Sequence, residues 1–186
     1  MLEYKTDMDK TYFDAFENKI EKELFAIVGS SALLNEPLPL TDDFYAKWTE
    51  MAPYYFADAV PEIAKYPIVS IAWAGYVGMA VAHWWDSDWD LHKDSQYATL
   101  YGKNGFDDMD EHIVFDLLKL DNGTVKKIEE VLRNCGETAM ALIRHENIEP
   151  QTPDAFYAYA RVVKVMFDLG AMIELRRLGY KSKKIM

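Results

Sequence analysis

The chain has 186 residues, half of them hydrophobic, and a formal charge of -11. That length suits one domain able to bury roughly 70% of its unfolded surface. The charge argues against nucleic acid, whose phosphates require Lys and Arg to displace counterions, and against anionic membrane surfaces.

In chain order, the N-terminus MLEYKTDMDKTYFDAF carries acids where a secretory signal has a basic flank and an apolar stretch. Cys135 is the only cysteine, so no internal disulfide forms and a reducing compartment fits. The expected location is the cytoplasm. Helical patterning starts at about 9–28, and LNEPLPL (34–40) reads as a loop because of its two prolines. Two helices are then expected, at about 42–52 and about 54–65, separated at Pro53.

Ile68 to Trp85 contains no Asp, Glu, Lys or Arg, which is close to the shortest stretch that crosses a bilayer. It also holds Ser70, His83 and two glycines, and small residues recur at Ser70, Ala74, Gly78 and Ala82. That spacing lines one helix face and lets a neighbouring backbone approach. A buried central helix at about 67–86 is expected, not a membrane span.

Helices at about 88–101 and about 108–120 follow, with GKNG (102–105) as a loop between them. Val125, Ile128, Val131, Leu132, Cys135, Ala139, Leu142 and Ile143 form an apolar stripe. The last helix opens at Thr152 as cap, Pro153 in its first position and Asp154 near the positive end. It runs to Arg176 and Arg177, with Gly179 as its stop. No repeat and no hairpin pattern is present. The expectation is one all-α domain over 1–186. It is a bundle of about six to eight helices around the 67–86 helix, with a short basic tail at about 180–186.

Phosphate-binding glycine loops, HExxH, CxxC and GxSxG are absent. Asp107, Asp108 and Glu111 have the DDxxE spacing that resembles terpene synthases. The family's second motif would put Lys126 where a hydroxyl is required, so the resemblance stops there. Asp86, Asp88 and Asp90 alternate as in a calcium loop, but Leu91 and Tyr97 stand where an EF-hand has glycine and glutamate.

The stretch AVAHWWDSDWDLHKD (80–94) supports three readings. In the first, one helix ends near Asp86, Ser87 caps the next, and Asp88 and Asp90 occupy its first turn. The same idiom recurs at Thr6-x-x-Asp9, Thr11-x-x-Asp14 and Asp108-x-x-Glu111. In the second, the helix continues, so His83, Asp86 and Asp90 share a face and could meet Asp108 and His112 around a divalent metal. In the third, Trp84, Trp85 and Trp89 beside carboxylates form a box for an organic cation or other ligand. Elsewhere, Arg161, Lys164 and Asp168 read as a solvated face, and Cys135 as an inert core residue.

Two functions follow. One is a non-catalytic binding or protein-interaction module that needs no cofactor. Between Asp86 and Asp116 there are nine acids against Lys93 and Lys103, while RRLGYKSKKIM (176–186) holds five bases. That polarity would attract a basic protein partner or orient a homo-oligomer. The alternative is a metal-dependent enzyme, a hydrolase, with His83, Asp86, Asp90, Asp108 and His112 as ligands. The first is the expectation carried forward.

Overall fold

The computed structural model describes residues 2–182, with side chains from Lys10 onward. Its secondary structure is helical: α1 (Leu2–Ser30), α2 (Asp42–Ala59), α3 (Pro67–His92), the short α4 (Met109–Glu111), α5 (Asn122–His145) and α6 (Pro153–Arg177). No strand occurs among the described residues; the one bridge joins Gly102 to Gly105. The expected all-α bundle is present, and α3 is its centre. It packs most extensively on α6, then on α5, while α2 covers another side and α1 lies across α5 and α6.

Each helix can be traced to its apolar spacing. Phe13, Phe16, Ile20, Leu24 and Val28 step by three and four along α1, and all are buried. In α2 the buried stripe is Phe44, Trp48, Met51, Tyr55 and Ala59, which continues across Pro53. The expected break at Pro53 is therefore absent. Pro53 is exposed, so water can serve the carbonyl that loses its partner, and burial on both sides of the proline outweighs the lost bond. At the N-terminus, α1 begins at Leu2 instead of about residue 9 and runs through Thr11 and Asp14 without a new start. The side chains of Thr6 and Asp9 lie outside the described residues, as do 183–186 of the basic tail.

α3 and α6 meet backbone to backbone. A Cβ on Gly78 would lie 2.0 Å from the Phe167 carbonyl oxygen, and one on Gly170 would lie 1.8 Å from that of Gly75. Ser70, Ala74, Gly78 and Ala82 are all buried, as their spacing predicts. α3 is also the one described helix long and apolar enough to cross a membrane, but 72% of its apolar window is covered by the rest of the protein. Near its start, the Ser70 carbonyl accepts hydrogen bonds from the hydroxyls of Tyr55 (2.6 Å) and Tyr159 (2.9 Å), tying α2 and α6 to it.

Caps fix the two long C-terminal helices. Asp121 accepts from Thr124 N at 2.8 Å at the start of α5, and Thr152 accepts from Ala155 N at 3.2 Å at the start of α6. At the far end of α6, Gly179 (φ +100°) donates to the Arg176 carbonyl and Tyr180 N to that of Leu175. This is the paired closure of a glycine-stopped helix, and it turns Tyr180 back toward α3.

Candidate functional site

The 80–94 stretch is a kinked helix end. Asp88 leaves helical geometry (φ -166°, ψ 88°), and its carboxylate accepts from Leu91 N at 3.2 Å. The capping reading is right in kind, but the cap is Asp88. Ser87, expected in that role, donates instead to the Trp84 carbonyl at 3.4 Å. The turn beyond the kink is held from below by Lys47, only 2% exposed, which donates to the carbonyls of Lys93 (2.8 Å) and Ser95 (2.7 Å) and to Glu50. A cation suits that end of a helix.

The kink decides what the candidate ligands can do. It breaks the register that would have put Asp90 beneath His83 and Asp86. Asp90 has a side chain 97% exposed and an ion pair to Lys93 at 3.8 Å. Asp86 accepts from the Tyr180 hydroxyl at 2.7 Å. His83 is half-buried within electrostatic reach of Glu174, which is fully buried and paired with Arg177 through two bonds of 2.5 and 2.8 Å. Burial holds the His83 imidazole below its ordinary range, against the pull of Glu174.

Asp108 and His112 lie elsewhere, beside the Gly102–Gly105 turn. Asp108 does not form the expected box with Glu111; it accepts from Asn104 N and Nδ2 at 2.9 and 3.2 Å. His112 Nδ1 lies 3.1 Å from Asp116. The backbone from His112 to Leu117 is a π-turn, a widening of the helix often found at functional positions. Asp108, Glu111, His112 and Asp116 line a recess of about 290 Å³ there. Among the described residues, no three His, Cys, Asp or Glu side chains are gathered as a metal centre.

The tryptophans do not form a box. Trp84 is buried and stacks on His92 at 5.6 Å, whereas Trp85 packs on Phe44 and Tyr180 and donates to Asp43 at 3.0 Å. Trp89 is partly buried against the core. The Trp85 N–H and the rings of all three serve the helix corner.

Sequence reasoning missed a larger cavity, about 550 Å³, between α1, the 31–41 loop, the start of α2 and α6. From TDDFYAKW (41–48), Thr41, Asp42, Phe44, Tyr45 and Trp48 line it. The available signal was the interleaving of acids and aromatics directly after the proline loop. Lys164 and Asp168 line it as well, paired at 2.8 Å and partly buried, so this face of α6 is not solvated as expected: Glu17 and Glu21 of α1 lie within electrostatic reach of it. Cys135 is fully buried, and burial pushes its thiol up to about 12, which keeps it protonated.

No family model, curated protein or solved structure matches this chain.

Proposed function

We propose that the protein is a non-catalytic binding module, located in the cytoplasm, that takes a basic protein partner on the acidic surface between Asp86 and Asp116. The observation that supports this reading is that Asp86, Asp88, Asp90 and Asp94 are all exposed around a corner fixed by the Asp88 cap and Lys47, and that Asp107, Glu111 and Asp116 are exposed in the segment that follows. Exposed acids on a rigid scaffold steer a basic partner and set its orientation more than they add affinity. Self-association through the basic tail is a second route to the same contact. Tyr180 donates to Asp86 and Ser182 N to Glu36 within one chain, which favours a separate partner over a second copy.

Calorimetric titration with a lysine-rich peptide tests the reading. Saturable binding that weakens with salt and is lost in the combined variant Asp88→Asn, Asp90→Asn, Asp94→Asn, Asp107→Asn is expected. Unchanged binding by that variant would move the partner elsewhere.

The alternative, a metal-dependent enzyme, keeps only Asp108 and His112 of its five expected ligands in one recess, which Glu111, Asp116 and Lys103 also line. Its test is a zinc or manganese titration followed by melting. A ligand at 100 times its dissociation constant adds about 2.7 kcal/mol, so a saturable rise abolished by His112→Ala would make it the leading reading.

A further inference from the structure

The cavity between α1, α2 and α6 combines three features that point to one class of ligand. Its volume, about 550 Å³, is that of small-molecule sites, which run from roughly 300 to 1,000 Å³. Its apolar wall joins Pro37, Leu38, Pro39, Leu40 and Met172 to three aromatic rings. Phe44 is 2% exposed and packs on Trp85 at 5.4 Å, Trp48 is 6% exposed and packs on Phe167 at 4.8 Å, and Tyr45, 65% exposed, stands at the rim. Rings already fixed by the core lose little freedom when a ligand settles on them.

The charge is the third feature. Four ionic side chains line the cavity: Glu21, Asp42, Asp168 and Lys164. The single cation pairs with Asp168 at 2.8 Å and also lies within electrostatic reach of Glu21, so three carboxylates face one ammonium and the lining keeps a net negative charge. Asp42 is in no ion pair among the described residues. An anionic ligand would meet a net negative wall, and a neutral one would gain nothing from it. A cation gains from the carboxylates and from the negative ring faces.

We propose that this cavity binds a small organic ammonium ion, its charged head toward Asp42 and Glu21 and its apolar body on Phe44, Tyr45 and Trp48. The site is separate from the acidic 86–116 surface and does not depend on a protein partner. It also replaces the tryptophan box expected at residues 84–89, because aromatics beside an excess of acids line one cavity here instead.

The test titrates the full chain with 2-phenylethylammonium, and with 3-phenylpropionate as an anion of similar shape, while the indole N–H resonances are followed by NMR. The ammonium ion is expected to bind saturably at millimolar concentration or below, moving the Trp48 indole most and leaving Trp84 and Trp89 in place. The propionate is expected not to bind. Tyr45→Ala and Asp42→Asn alter exposed side chains, so both variants should keep the parent's circular dichroism, and each should weaken binding about three- to fivefold. Absence of saturation, equal binding of the propionate, the largest shift at Trp84 or Trp89, or parental affinity in both variants would each overturn the proposal.

Discussion

Asp88 and Asp90 are two positions apart and differ completely in what they hold. Asp88 closes the open end of a helical turn, whereas Asp90 reaches only Lys93 at 3.8 Å with its side chain almost wholly in solvent. Loss of an N-cap costs about 1 kcal/mol, so Asp88→Ala should lower the melting temperature by about 2–4 °C. An exposed ion pair contributes little, and Asp90→Asn also relieves repulsion from Asp86, Asp88 and Asp94. It should melt within about 2 °C of the parent, and added zinc or manganese should not separate the two proteins. A metal-induced rise in the parent that Asp90→Asn abolishes would restore the helix-through register.

Asp110 gives a pH signature at the same scale. Burial pushes its carboxyl up to about 6, opposed by the Glu111 backbone N–H and reinforced by the Glu111 and Glu129 charges. The folded value is raised above the ordinary carboxylate range, so the charged form is disfavoured in the native state. The associated stability is present at low pH and is lost as pH rises through about 6. Asp110→Asn should therefore melt above the parent at neutral pH, with the gap closing as pH falls from about 6 toward about 4. A gap of constant size across that range would show that the charge of Asp110 is not disfavoured.

Among the elements, the crossing of α3 and α6 sets the geometry of everything else. Overpacking commonly costs about 1–3 kcal/mol, but the neighbours here are backbone atoms that cannot swing aside. Gly78→Leu and even Gly170→Ala should exceed that range, or prevent folding, in denaturant titrations. Gly75→Ala should be milder, because its added Cβ would meet the Leu132 side chain at 3.0 Å, which can adjust. A near-parental midpoint for Gly170→Ala would contradict the crossing.

The same crossing shows why parts of the fold can be read from sequence. Small residues at every fourth position, and apolar stripes such as 125–143, are local signals of a buried face. The continuous α2 is hidden behind Pro53, although its stripe of Phe44, Trp48, Met51, Tyr55 and Ala59 was present on both sides. The turn beyond the kink at Asp88 is braced by a long-range contact. Lys47 reaches across 46 residues to Lys93, and no periodicity encodes that.

On the scale of the molecule, the candidate sites are legible in composition but not in position. Acids and tryptophans at 83–92 were visible, yet the backbone at Asp88 takes Asp90 off the face of His83 and Asp86, and Asp108 and His112 pack beside Gly102. The cavity at α1, α2 and α6 joins Glu21, Asp42 and Asp168, which are far apart in sequence and are brought together only when α1 and α2 pack on α6. Most of the excess negative charge, -7 of -11 counted over 86–116, is concentrated in one segment. On the proposed reading, this location, and not the total charge, draws a basic partner.

Two charge-matched variants separate those causes. One carries Asp88→Asn, Asp90→Asn, Asp94→Asn and Asp107→Asn; the other carries Glu23→Gln, Glu130→Gln, Glu137→Gln and Glu149→Gln, exposed acids outside the segment. Their affinities for the same lysine-rich peptide are compared by calorimetry in one low-salt buffer, where charge contacts are least screened. Binding lost in the first variant and kept near the parental value in the second is the predicted result, and an equal loss in both would contradict the account.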